Sequence, residues 1–311
     1  MMGEKKHKSG FVNIIGYPNA GKSTLVNQLM GMKLNIVSPK AQTTRHRILA
    51  IDNGEDYQIV YSDTPGLLKP AYELHKAMQF YIEQALEDAD IFILLIDLTK
   101  DVDWEPVVLE KIKNTGVPVI LTFNKYDLVK EEDVEKSIKK WTGIFPDASY
   151  VVVSALNGYM TDVLKTIILQ KLPEGPEYFP KNENDISDKN LRYFVSEIIR
   201  EKIFLLCREE LPYSVEVYVE KYKENPEMDH IYAVIVVERE SQKPMIIGKQ
   251  GRMLKEIGTL ARKDIEELIG KKVFLSLHVK VDKNWRKDKN KLKKYGYLIQ
   301  DERNSGHSRK A

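Results

Sequence analysis

Four short stretches of this chain combine residue types and spacings that can do chemistry on a nucleotide. Residues 16–23 read GYPNAGKS, a G-x-x-x-x-G-K-[ST] pattern. Gly16 and Gly21 let the intervening backbone of Tyr17, Pro18, Asn19 and Ala20 wrap phosphate oxygens at a helix N-terminus. Lys22 then brings a point charge to the β- and γ-phosphates, Ser23 offers a hydroxyl to Mg²⁺, and Thr24 completes the set. Residues 63–66, DTPG, supply the Asp63 carboxylate for the Mg²⁺ shell and the Gly66 N–H for a γ-phosphate, with Thr64 and Pro65 between them. Residues 124–127, NKYD, choose the base. The Asp127 carboxylate can accept from guanine N1–H and its 2-amino group, and adenine has no such pair of donors. An unpaired, desolvated Asp127 would cost several kcal/mol, which excludes the wrong base. Asn124 stands ahead of Lys125, whose aliphatic stem can lie on the base, and Ser154, Ala155 and Leu156 come last in the series.

These residues need strand ends to hold them. Residues 11–171 alternate β-rich apolar runs (FVNII, YQIVYS, IFILLIDL, VPVILTF, YVVVSA) with helix-like stretches, and GYPNAGKS, DTPG and NKYD each follow such a run directly. Residues 48–51 and 57–61 flank DNGED and read as a hairpin, adding one antiparallel strand to a mostly parallel six-stranded sheet. The expected fold is a three-layer α/β domain with its site at the strands' carboxyl ends.

In that order and setting, residues 11–171 resemble the G domain of the translation-factor-related GTPases, and AQTTRHRI at 41–48 resembles the Era family. The resemblance implies a P-loop GTPase in which Ser23 and a switch threonine ligate Mg²⁺, Asp63 does so through water, and the Ala155 N–H contacts the guanine oxygen. Gln42, Thr43, Thr44, Arg45 and His46 would form the switch; Thr44 is the expected ligand, and the adjacent Thr43 fits as well. Ras-like enzymes orient water with a glutamine after the D-x-x-G glycine, where this chain has Leu67. The resemblance therefore implies another device, with K⁺ in place of an arginine finger and Asn19 as its marker. Turnover without an activator should be of the order of ~10⁻³ s⁻¹.

Beyond residues 172–188, a Pro-rich and amide-rich stretch read as a linker, the pattern becomes α-β-β-α-α-β over 189–282, with Ser187 or Asp188 as the cap of its first helix. That smaller α+β layout resembles a type II KH domain. Its GKQG at 248–251 would clamp RNA backbone: Gly248 and Gly251 permit close approach, while Lys249 and Arg252 neutralise it, with Gln250 between. Ile246, Ile247 and Leu254 would line the base groove. A plain helix–helix turn capped by Gly248 would read the same.

Charge points the same way. The 48 Lys and Arg exceed the 46 Asp and Glu by only two, yet residues 283–311 hold ten basic against three acidic residues. Trp285, Arg286 and Lys287 open that tail and suit single-stranded RNA; an anionic membrane patch would look similar. Cys207 is the single cysteine, which excludes an intrachain disulfide, and it reads as a packed thiol. His46 reads as a plain surface residue. No apolar run approaches the ~20 residues of a membrane span, and the start carries no export signal.

The expectation is a GTP-gated switch binding GTP or GDP and the 3′ region of 16S ribosomal RNA, aiding assembly of the 30S subunit, without DNA. It would work in the cytoplasm, with or without peripheral contact at the membrane's inner face. The alternative is a GTP-regulated membrane-surface or protein-docking module that uses its basic tail.

Overall fold

The structure is a computed structural model that describes residues 7–38, 40, 42–181 and 186–299. Residues 182–185 of the expected linker and 300–311 of the expected tail lie outside it. The chain divides into two compact units, one of residues up to Leu68 plus Tyr81–Asp188, the other of Lys69–Phe80 plus the residues from Lys189 on.

Along the chain, β1 (Lys8–Ile15), α1 (Lys22–Met30), β2 (Ile48–Asn53), β3 (Tyr57–Asp63), α2 (Glu73–Glu87), β4 (Ile91–Asp97), α3 (Pro106–Asn114), β5 (Val119–Asn124), α4 (Glu131–Ile144), β6 (Ser149–Val152) and α5 (Thr161–Lys171) follow in order. The six strands form one sheet, β2-β3-β1-β4-β5-β6, antiparallel only where β2 meets β3. Strand β4 is buried along its whole length, as an uninterrupted apolar run at the centre of a parallel sheet must be. Because β1 pairs with both β3 and β4, the connections leave it in opposite directions and open a crevice at its carboxyl end. That crevice holds the GYPNAGKS turn.

The stretch read as a linker is fastened along this sheet rather than free. Ser9 N–H donates to Pro173 O at 3.1 Å, Gly175 N–H to His7 O at 3.1 Å, and the Gln58 side chain bonds Tyr178 and Phe179. Ser187 Oγ donates to Leu49 O, and Asp188 accepts from the Leu49 N–H, so neither caps a helix. The cap is Asn190, whose side chain accepts from the Tyr193 N–H.

The second unit runs α6 (Leu191–Leu206), β7 (Val215–Lys223), β8 (Asp229–Val237), α7 (Gln242–Ile247), α8 (Arg252–Ile269), β9 (Val273–Val281) and α9 (Lys289–Lys294). β8 lies between antiparallel β7 and parallel β9. Every second strand residue (Ile231, Ala233, Ile235, Val237 on β8) meets Val195, Ile199 and Ile203 of α6 and Ile257, Ala261 and Ile265 of α8. The four-residue spacing of the α8 trio puts one stripe against the sheet. Cys207 sits in this core.

The sequence after β9 folds onto this unit. Trp285 is 0 % exposed, its indole N–H donates to Ser214 O at 3.0 Å, and Leu292 and Tyr297 are buried too. This corrects the expectation that Trp285 stacks on RNA: a fully enclosed ring with its one donor satisfied has no face to offer. Arg286 is half-buried, with its guanidinium paired to Glu238. Lys287 is exposed.

Candidate functional site

At the carboxyl end of β1, the backbone turns so sharply that Gly21 adopts φ 98°, and a Cβ there would sit 2.4 Å from Asn124 Nδ2. Only glycine fits. Lys22, the first residue of α1, is buried; its Nζ donates to Gly16 O at 3.0 Å and Tyr17 O at 3.1 Å. Burial holds its ammonium down to about 8, against an opposing pull from Asp63. The cleft beside it is lined by Pro18, Asn19, Lys22, Ser23, Thr24 and Gln42, among others.

The three expected metal ligands come together. Ser23 Oγ donates to Asp63 Oδ2 at 2.7 Å and lies 2.9 Å from Thr44 Oγ1. Of the two threonines, Thr44 faces this cluster, whereas Thr43 Oγ1 donates to Lys40 O. Asp63 ends β3 fully enclosed, and burial raises its carboxyl from 3.8 to about 6, with the Ser23 bond and Lys22 pulling the other way. Its Oδ1 is buried without a hydrogen-bond partner among the described residues. Two hydroxyls and a carboxylate with an unused oxygen are the donor set of a hard divalent cation, so the residues fit Mg²⁺. Asn35, absent from the sequence reading, donates to Asp63 Oδ2 at 3.0 Å and is itself held by Asn27. Both lie outside any motif.

Elsewhere in the DTPG loop the roles divide. Thr64 Oγ1 donates to Ile14 O inside the sheet, and Leu67, where a water-orienting glutamine would stand, donates its N–H to Gly16 O at 3.1 Å. Pro65 is buried, and Gly66 lines the phosphate cleft. His46 is half-buried with Nδ1 3.3 Å from Tyr81 Oη, and Arg45 is buried.

Asn124 is a tie between loops: its Nδ2 donates to Ala20 O at 2.8 Å while its Oδ1 accepts from Ala155 N–H at 2.9 Å. Lys125, at φ 70°, pairs at 2.7 Å with Asp97, the acid that closes the otherwise apolar β4. Asp127 stands on a 3₁₀ turn with its side chain exposed, and Leu156 is exposed too. Ser154 Oγ accepts from the Asn157 N–H and shapes the last loop.

In the second unit, GKQG joins α7 to α8 through three positive φ angles, at Gly248, Gln250 and Gly251. A Cβ on Gly248 would come 2.7 Å from Met253 Cβ, whereas one on Gly251 would meet no described atom within 4 Å. Lys249 and Gln250 are exposed, as Arg252 is, at the start of α8. The adjoining groove is lined by Gly251, Leu254, Gly258, Leu275 and Leu277. Leu254 was expected there; Ile246 is instead 0 % exposed in the core, with Ile247 packed against it.

Comparison with known proteins agrees with this anatomy. Residues 11–125 match the family described as 50S ribosome-binding GTPase, and residues 210–286 match the KH domain. GTPase Era of Geotalea daltonii is 43 % identical over 298 residues, 95 % of this chain and 100 % of that one. A chloroplastic ERA-like GTPase of Oryza sativa is 45 % identical over 300 residues, covering 94 % and 70 %. A crystal structure of Era with MgGDPNP and nucleotides 1506–1542 of 16S ribosomal RNA superposes with a TM-score of 0.88 at 41 % identity, covering 94 % of this chain and 100 % of that one. A variant of Aquifex aeolicus Era bound to GDP and AlF4⁻ gives the same TM-score, identity and coverage. With a GTPase domain followed by a KH domain, and matched over nearly its whole length by GTPase Era, this chain belongs to the Era family of GTPases.

Proposed function

We propose that this GTPase is a switch whose nucleotide state gates binding of the 3′ region of 16S ribosomal RNA, in the service of assembling the small ribosomal subunit. The observation that carries the reading is the presence of both sites on one chain, matched over 94 % of its length by an Era crystallised with MgGDPNP and that RNA segment.

In this reading Lys22 exchanges its backbone carbonyl partners for phosphate oxygens, which add to the counter-charge of Asp63. Mg²⁺, when bound, neutralises charge on the β- and γ-phosphates. Ser23, Thr44 and Asp63 hold it, and Asn35 keeps the Asp63 carboxylate aimed. Asp127 selects guanine. The exposed GKQG loop, with Lys249 and Arg252, takes the RNA backbone.

The partition of the chain supports the gating reading. Residues 69–80, which continue from the DTPG loop, group with the second unit, and there the Tyr72 ring lies 5.0 Å from the Arg286 guanidinium. Ordering of the Asp63 loop by a γ-phosphate thus acts on a segment that the RNA-binding unit holds.

Hydrolysis uses backbone groups and K⁺, because Leu67 cannot orient water and Asn19 lines the phosphate cleft. The rate should be higher in K⁺ than in Na⁺ at equal ionic strength; equal rates remove K⁺ from the account. We place the protein in the cytoplasm. For the membrane-surface alternative, the first part of the basic tail folds around Trp285 and Leu292 and keeps Lys283, Lys287, Lys293 and Lys294 exposed.

The test is fluorescence anisotropy of a labelled oligonucleotide from the 16S 3′ end, with GDP and then with a non-hydrolysable GTP analogue. Tighter binding with the analogue supports the gated switch. Equal binding keeps the RNA site and removes the gate, and no binding in either state removes both.

A further inference from the structure

The sheet of the second unit has two faces, and α6 and α8 pack against one of them. On the face away from α6 and α8, the strand register sets side chains in rows: Lys223, His230 and Phe274; Lys221, Tyr232 and Ser276; Tyr218, Val234 and His278; Glu216, Val236 and Lys280. The last two rows are partly covered by the chain's own C-terminal segment. Tyr295 lies 5.9 Å from the Tyr218 ring, Tyr297 Oη donates to Glu216, and Val234 and Val236 are buried. The first two rows form an aromatic cluster open to solvent. Phe274 is 44 % exposed, with its ring 5.2 Å from His230 and 6.1 Å from Tyr232.

Around this cluster Lys221, Lys223, His278 and Lys280 are all exposed. Glu220, at the β7 bulge, is the acid nearest in sequence on that strand, while Asp229 is buried and paired with Lys271. Neighbouring rings on adjacent strands of a sheet, rimmed by cations, are the arrangement on which unpaired nucleobases stack. We propose that this outer face is a second binding surface for single-stranded RNA, taking bases that lie beyond the nucleotides clamped at the GKQG loop.

The path between the two surfaces is short. β9 is the edge of the sheet among the described residues, and its side chains alternate: Leu275 and Leu277 line the groove beside Gly251, while Phe274 and Ser276 stand on the outer face. A strand leaving the groove therefore rounds a single β-strand to reach Phe274. A loop that holds about four nucleotides leaves the rest of a longer RNA free to make that turn.

The inference rests on the RNA-binding reading above, and its test separates the two. The full-length protein is titrated with two labelled RNAs of 16S 3′-end sequence, one of about six and one of about twelve nucleotides, sharing the same clamped segment. Phe274→Ala combined with Tyr232→Ala should weaken the longer RNA about tenfold or more and leave the shorter within twofold. Phe274→Trp, which keeps a stacking face, should retain the longer RNA's affinity. Unchanged affinity for the longer RNA in the double variant overturns the proposal, as does an equal loss for both lengths. So does a loss confined to sedimentation with anionic phosphatidylglycerol vesicles, which would make the patch a lipid contact. Gly251→Asp reports on the loop independently: if it spares both RNAs while the double variant loses the longer one, the loop reading fails and the outer face stands. If neither RNA binds the unmodified protein, both readings fall.

Discussion

The phosphate site and the GKQG loop both use glycines and a lysine, yet they are built in opposite ways. Ser23 and Asn35 donate to Asp63, Lys22 donates to Gly16 O, Asn124 ties Ala20 O to the Ala155 N–H, and the charges of Lys22 and Asp63 are both buried. Lys249, Gln250 and Arg252 sit on an exposed turn held mainly by backbone conformation. The first arrangement stores unfavourable charge burial that a magnesium nucleotide relieves. In the proposed function the second leaves a polyanion to find exposed cations, which should give salt-sensitive binding. Changes in the first site should therefore alter stability and chemistry together; changes in the second should alter binding alone.

The largest effect that would break this contrast is at Asp127, which belongs to the first site but is exposed. Asp127→Ala should lower the preference for GTP over ATP by about 10³ or more, read by competition against a fluorescent GDP, with little change in thermal midpoint. Next comes Trp285→Ala, expected to destabilise the protein by about 3–5 kcal/mol in urea, because a fully enclosed ring is lost. Trp285→Phe should cost nearer 1 kcal/mol for the donor lost to Ser214 O. A stable Trp285→Ala that binds RNA poorly would return Trp285 to the RNA surface.

Asp63 gives a pH signature. Its carboxyl is raised from 3.8 to about 6 in the nucleotide-free fold, so the folded state takes up the proton before the unfolded chain does. Its contribution to stability is present below about pH 4 and is lost as pH rises through about 6. Asp63→Asn, freed from that cost, should be more stable than the unmodified protein by about 1–3 kcal/mol at pH 7, with the advantage shrinking toward pH 4.5. Urea denaturation at the two pH values measures it, and a constant difference would contradict the burial argument. Smallest is Lys287→Ala. Its stability should stay within about 0.5 kcal/mol, while the salt dependence of RNA binding falls by about one unit of slope.

What the sequence made legible follows the same division. GYPNAGKS, DTPG and NKYD could be read because each is contiguous and hangs from a strand end, so sequence order is nearly spatial order. Asn35 and Asn27 could not be, since they meet Asp63 from a loop with no periodicity; Asp97 left a trace as the acid ending an apolar strand. Trp285 was misread because its cationic neighbours imitate a solvated tail. The spacing of Trp285, Leu292 and Tyr297 among those lysines was the sign of a packed segment. Ser187 and Asp188 were plausible caps by residue type, but the partners that claimed them, at Leu49, are distant in sequence.

The separability of the two sites is tested most directly at Gly251, where a Cβ meets no described atom within 4 Å and the cost of aspartate is the local strain of a left-handed backbone. GTP affinity and the binding of the labelled 16S 3′-end oligonucleotide would be measured on Gly251→Asp and on the unmodified protein in the same buffer. The account predicts RNA affinity lowered about tenfold or more, with GTP affinity unchanged. Unaltered RNA binding, or RNA and GTP affinity falling together, would contradict it.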